Sequence, residues 1–248
     1  MTQSSETASS GRVVVAMTVL GAVGLLVGFL FGMITFGLIG GPLSLSVGNP
    51  SGQLLFTLGT YVGLAAVGGL YLSRHGRSLS FVRIRRPTPG DLGVAVATVL
   101  ALVALAVVLP ALIERLGLPL VDHGIADSID ANPTIALVFL PLSVFVVGPA
   151  EEFLYRGIIQ TRLTAVFDTL SAVGIAALIF AVVHFIAYLD PANVPGTLVT
   201  IFLLLLPLGA ILGLVYEYSG NLLVPALAHG IYNAITFAMT YVDAVGAV

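Results

Sequence analysis

The sequence predicts an all-α polytopic membrane protein: a helical bundle of about seven transmembrane helices, or eight on an alternative count, enclosing a polar cavity. Three observations carry this. Of 248 residues, 58% are hydrophobic and 8% charged, against about 25% charged in a soluble domain, so a water-facing surface cannot be assembled. The apolar residues come in runs of about 20, the length that spans a bilayer core. A few ionisable groups nevertheless lie inside those runs, where function is the default expectation.

Residues 1–12, small and polar up to Arg12, predict a disordered N-terminal segment. The apolar run 13–39 is too long for a signal-peptide core and lacks a convincing cleavage site, so it reads as a retained first span. A re-entrant turn near 37–41 would split it and give the eighth. Glycine, proline, asparagine and serine over 40–52 mark a loop, and the second span covers 54–72. A basic loop follows, with Arg74, Arg77, Arg83, Arg85 and Arg86. The third span is 92–113. The next loop, 114–133, carries Glu114, Asp122, Asp127 and Asp130 against Arg115 alone. The fourth span starts at Thr134, includes Pro141 and Pro149, and runs past Arg156. The last three are 169–189, 196–216 and 222–242. Residues 13–133 thus form an N-terminal set of helices and loops and 134–242 a second unit, with neither a soluble domain nor an internal repeat.

All nine basic residues are arginine. Short loops rich in Arg stay in the cytoplasm. Seven spans with the N-terminus inside keep every arginine there except Arg115. This predicts a multi-pass protein of the cell membrane with the N-terminus and the loop 74–86 cytoplasmic. The absence of cysteine excludes disulfides, thiolate metal sites and a cysteine nucleophile. A net charge of −3 gives no reason to expect nucleic acid as a partner. Gly24, Gly28 and Gly32, the pair Gly59 and Gly63, and the pair Gly209 and Gly213 have GxxxG spacing. Packing within the chain is expected of them before a dimer interface, and the oligomeric state is left undetermined.

The ionisable groups inside apolar runs are Glu151 and Glu152, His184, and His229 with Asn233. Counted at about 1.5 Å per residue, three separate helices place acid and imidazole at similar depths. That convergence predicts one polar site, read as opening toward the cytoplasm. Glu152 and Arg156 stand at i and i+4, the spacing of a helical ion pair, while Glu151 is rotated away and left to face a cavity. Phe180 and His184 share a face, as do His229 and Asn233. Taken singly, the Glu pair reads as an interfacial anchor and each histidine as a hydrogen-bonded packing residue; together those readings weaken. His75 and His123 fall in loops and receive no role.

The segments EEFLYR (Glu151 to Arg156), FAVVH (Phe180 to His184) and HGIYN (His229 to Asn233) resemble the three ordered motifs of the CPBP family of intramembrane proteases. That family includes type II CAAX prenyl endopeptidases and relatives linked to bacteriocin self-immunity. The resemblance covers roughly residues 134–242, and no motif position departs from the pattern. It implies a membrane endopeptidase acting on membrane-associated or CAAX-like peptide substrates. Glu151 is then the base that activates water, His184 a group that positions it, and His229 and Asn233 the stabilisers of the oxyanion. Glu152, Arg156 and Phe180 are supporting residues. Glu151, His184 and His229 would also make a three-ligand zinc site. Metal-independent glutamate chemistry is the preferred expectation, with zinc kept as the alternative. Two other classes of function remain: a proton-coupled small-solute transporter, which inverted repeats and broken helices would mark, and a non-catalytic immunity or scaffold protein.

Overall fold

The computed structural model describes residues 2–246, with side chains from Ser10 onward. Eight helices and a short 3-10 turn (Leu79–Val82) account for most of this stretch, and no strand occurs among the described residues. Helix α1 is Thr2–Thr35 and winds on through a π turn, Phe36–Gly40. It starts inside the segment 1–12 expected to be disordered, so residue 12 is not a structural boundary; Met1 lies outside the described residues. The first apolar run is therefore one continuous span, and the re-entrant turn that would have made an eighth does not form.

Helix α2 (Pro50–Arg74) begins where Asn49 accepts a hydrogen bond from the Gly52 N–H, with Pro50 in the first turn. Helix α3 (Pro89–Arg115) opens on a capping box between Thr88 and Asp91. Arg85 adds a bidentate pair to Asp91 at 2.6 and 2.9 Å, tying the arginine-rich loop to the helix it precedes. A short helix α4, Ala126–Ala131, interrupts the next connection.

Helix α5 runs over Thr134–Leu163, α6 over Thr169–Tyr188, α7 over Val194–Ser219 and α8 over Leu223–Gly246. Asp168 caps α6, and its hydrogen bonds to Ser171 hold that carboxyl below the usual aspartate range. α7 closes on Gly220 in the left-handed region, φ 57°. The prolines do not break α5 or α7. Pi-helical turns at Ser143–Val147 and Thr200–Leu205 lie next to Pro141, Pro149 and Pro207 and accommodate their missing N–H donors. The broken helices that a transporter would show are thus replaced by continuous, locally widened ones.

Six of these helices are long and apolar enough to cross a membrane. α8 has the length, at 24 residues, but its interior His229 and Asn233 make it less apolar. The chain is a multi-pass helical membrane protein whose seven long helices alternate in direction. One end of the bundle collects Arg74, Arg77, Arg83, Arg85, Arg86 and Arg162. The other end carries 41–49, 116–133 and 189–193.

The glycine spacings pack within the chain. Gly63 approaches the Gly28 Cα and Gly59 the Gly32 Cα, each leaving 3.0 Å for an added Cβ, so α1 and α2 meet backbone to backbone. Gly209 and Gly213 of α7 do the same for polar side chains of α5. A Cβ on Gly209 would stand 3.3 Å from Phe180 and 3.5 Å from Arg156, and one on Gly213 would be 2.6 Å from Gln160.

Candidate active site

α5 brings the two glutamates into the bundle at the junction of an α-helical turn (Gly148–Glu152) and an eight-residue π-helical stretch (Phe153–Gln160). Such widened turns recur at functional sites. Glu152 and Arg156 form the ion pair their spacing predicts, at 2.8 Å, with Glu152 0% and Arg156 1% exposed. A buried guanidinium needs more than one partner. Arg156 also donates to the Gly209 carbonyl at 2.9 Å and lies over the Phe180 ring, 4.7 Å from its centroid.

The same register continues. Gln160, one turn beyond Arg156, donates to the Gly213 carbonyl at 2.9 Å and to Glu217 at 2.8 Å, and Glu217 pairs with Arg83 at 2.8 Å. Arg156 and Gln160 on α5 thus meet Gly209, Gly213 and Glu217 on α7 at matching four-residue spacing. They carry polar contacts from the site to the arginine-rich loop.

Glu151 is 5% exposed and points away from this ladder, as its rotation on the helix predicts. Its Oε1 accepts a hydrogen bond from the Tyr61 hydroxyl at 2.9 Å. The Nε2 of His184 lies 3.9 Å from Oε1, and the Nε2 of His229 lies 3.8 Å from Oε2. Both imidazoles are fixed through their other nitrogen. His184 Nδ1–H donates to the Phe180 carbonyl at 2.6 Å, and His229 Nδ1–H donates to Glu152 at 2.8 Å. These bonds place the neutral-ring proton on Nδ1 and leave an acceptor lone pair on each Nε2.

The backbone explains His184. The α-helical part of α6 stops at Val183, and His184–Tyr188 is 3-10. The backbone N–H of His184 turns to Ala181, which frees the Phe180 carbonyl for the ring. Phe180 stands between the parts, 4.3 Å from the His184 ring, 6.2 Å from His229 and 5.2 Å from Tyr155.

The structure therefore brings together Glu151, Glu152, Arg156, Phe180, His184 and His229. Asn233 stands one turn beyond His229 on α8, half-buried, and its side-chain amide makes no hydrogen bond among the described residues. The sequence reading missed Tyr61. A tyrosine halfway along α2 was its only signal, and nothing in the order of residues ties it to Glu151.

The zinc expectation for Glu151, His184 and His229 finds no support in this arrangement. Among the described residues no group of three or more His, Cys, Asp or Glu is set to hold a metal ion. The two Nε2 atoms face different carboxylate oxygens at 3.8 and 3.9 Å. Ligands of a tetrahedral zinc with bonds near 2.0–2.1 Å stand about 3.3–3.4 Å apart. Two acceptors at nearly 4 Å suit a bridging water that donates to both.

Residues 133–235 match the family described as Type II CAAX prenyl endopeptidase Rce1-like, so the resemblance carried by the three motifs is borne out over that stretch. The uncharacterized protein YpbD of Bacillus subtilis (strain 168) is 35% identical over 115 residues, covering 46% of this chain and 51% of that protein. The chain thus spans about half the length of the curated relative it matches. No solved structure matches it.

Proposed function

With the family match over residues 133–235 as premise, we propose that this chain is an intramembrane endopeptidase that uses Glu151 to activate water. The carrying observation is the placement of Glu151 opposite two histidines whose Nε2 atoms are free to accept a proton or a hydrogen bond. A water held between Glu151 Oε1 and His184 Nε2 donates one hydrogen to each. Glu151 takes one proton as the water oxygen adds to the peptide carbonyl carbon. The carbonyl oxygen gains the charge and accepts hydrogen bonds from the Asn233 amide and from His229 when its Nε2 carries a second proton. Glu151 then passes its proton to the leaving nitrogen as the C–N bond breaks, giving a carboxylate and an amine. Tyr61 holds Oε1 of the base, and the Glu152–Arg156 pair holds His229.

The substrates are membrane-associated polypeptides, with CAAX-like prenylated peptides as the family's precedent. The arginine distribution supports a cell-membrane protein with the N-terminus and the loop 74–86 on the cytoplasmic side. The continuous helices and the family match favour this reading over a transporter.

The test is cleavage of two fluorogenic peptides, one prenylated and one anchored by an apolar helix, by detergent-purified protein whose metal content is measured in parallel. Turnover that survives a chelator and is lost in Glu151→Gln supports the mechanism. Turnover retained by Glu151→Gln removes Glu151 from it, and a biological activity that survives Glu151→Ala points to the non-catalytic alternative.

A further inference from the structure

Three arginines converge on one cavity at the arginine-rich end of the bundle, apart from the residues around Glu151. Arg12 belongs to α1, Arg77 to the turn after α2 and Arg162 to the last turn of α5. Arg12 and Arg77 are exposed at the rim and Arg162 is half-buried. The cavity holds about 710 Å³, within the range of about 300–1,000 Å³ usual for small-molecule sites. No carboxylate lines it among the described residues.

The arginines at this end are not used alike. Arg83 pairs with Glu217 at 2.8 Å and Arg85 with Asp91 at 2.6 Å. Arg12, Arg77 and Arg162 make no ion pair among the described residues. Arg77 lies over the Phe81 ring, 5.2 Å from its centroid, and Phe81 itself lines the cavity. Like charges gathered round one hollow repel each other, and an anion between them reverses that. Guanidinium suits phosphate because its N–H groups meet two oxygens at once.

The rest of the cavity is apolar and runs down α1. Val13, Ala16, Leu20 and Val23 line it at helical spacing and are half-buried or exposed. Arg12 to Val23 is about 16 Å of helix, close to half of a hydrocarbon core of about 30 Å. A cationic rim thus stands over an apolar channel one leaflet deep. That shape matches an amphiphile with an anionic head and a hydrocarbon tail. A free phosphate would fill the rim and leave the channel without a partner.

We propose that this cavity binds an anionic phospholipid of the leaflet at the arginine-rich end, with its phosphate among Arg12, Arg77 and Arg162 and an acyl chain along Val13, Leu20 and Val23. Basic pockets between transmembrane helices recognise such headgroups. One headgroup then ties α1, the turn after α2 and α5 together. The inner face of α1 packs on α5 just past the glutamates: a Cβ on Gly21 would stand 3.4 Å from Tyr155, and Gly24 lies against Leu154. The lipid steadies the helix that carries Glu151 and Glu152 without touching either. The site does not depend on the proposed endopeptidase function.

The full chain, purified in a neutral detergent, is titrated with phosphatidylglycerol, phosphatidylcholine or inorganic phosphate. Native mass spectrometry counts the retained lipid, and thermal unfolding reads its effect on stability. One phosphatidylglycerol per chain and a raised Tm are expected, and neither phosphatidylcholine nor inorganic phosphate should reproduce the rise. Arg12→Gln/Arg162→Gln should weaken phosphatidylglycerol binding at least about tenfold, the worth of one lost charge-assisted hydrogen bond. Arg77→Gln, on an exposed turn, should weaken it too and serves as the reading if the double variant fails to fold by its size-exclusion profile. Arg86→Gln, which removes an exposed charge outside the cavity, should leave binding unchanged. Equal binding of phosphatidylcholine, or an equal loss in Arg86→Gln, overturns the site, since the attraction would then be general. A Tm rise with inorganic phosphate alone overturns the lipid in favour of a free anion. Unchanged binding in the arginine variants of the cavity overturns the assignment of these residues. None of these measurements reads cleavage, so they fail separately from Glu151→Gln.

Discussion

On the arginine side of Glu151, α5 is closely packed: Arg156 and Gln160 each find a partner on α7, and Glu152 pairs with Arg156 and with His229 of α8. On the other side α6 stops one turn past His184, the far half of α8 is half-buried at best, and the 116–133 connection and the first turns of α7 cover the end of α6. Both halves come from the same helices. They differ in what occupies the contact positions. Toward the arginines, glycines on α7 let polar side chains of α5 dock against backbone carbonyls, and the layer closes. Toward the other end no such ladder continues among the described residues, and the Asn233 amide has no hydrogen-bond partner among them. The lesson is that the buried charges serve two purposes in one helix turn: Glu152 and Arg156 lock the bundle, while Glu151, one residue earlier, stays available.

Substitutions should separate these purposes. The largest effect is expected from Glu151→Gln, which removes the proposed general base, a group worth about 10²–10⁴ in rate. Peptide cleavage should fall by that factor while the thermal unfolding profile in detergent stays in place; a matching drop in stability would break the division. Arg156→Met should act the other way. It leaves Glu152 buried without its counter-ion, at a cost of about 3–5 kcal/mol measured by denaturant unfolding in micelles. The double change Glu152→Gln/Arg156→Met should recover much of that stability, since no lone charge is left.

Gly28→Ala tests the glycine contact between α1 and α2. The new Cβ would stand 2.8 Å from the Thr60 carbonyl, so the helices must part, costing roughly 1–3 kcal/mol by the same unfolding assay. The smallest effect is expected from Tyr61→Phe. It should lower kcat about tenfold, some 1.4 kcal/mol, with KM unchanged, because the hydroxyl donates to Glu151, the proposed base. A rise in KM would instead place Tyr61 in substrate binding.

How far the sequence carries this picture depends on the residue. The Glu152–Arg156 pair was legible because helical geometry alone fixes i and i+4, and the convergence of Glu151, His184 and His229 was legible from depth, since each lies in an apolar run of measurable length. Tyr61 was not legible: in an apolar run it resembles any interfacial aromatic until α2 is docked beside α5. Nor was the π winding of Phe153–Gln160, for hydrophobic periodicity does not separate it from an ordinary helix over so short a stretch. The close packing of α5 beyond Glu151 was not legible either, because residue counts give depth below a surface and not where packing closes. The run of buried residues from Leu154 to Gln160 shows it.

The interlock of α1 with α2 has a consequence for how the protein is made. These two helices leave the ribosome before α5 to α8, and their close backbone contact, Gly28 against Gly63 and Gly32 against Gly59, equips them to settle in the bilayer as a finished hairpin before the motif-bearing helices are synthesised. Tyr61 follows directly on Thr60, the residue whose backbone abuts Gly28. The hairpin would then act as a mould with its hydroxyl already in position. The later helices assemble against it, and a nascent chain lacking the hairpin would deliver a glutamate whose carboxylate has no hydroxyl to meet it.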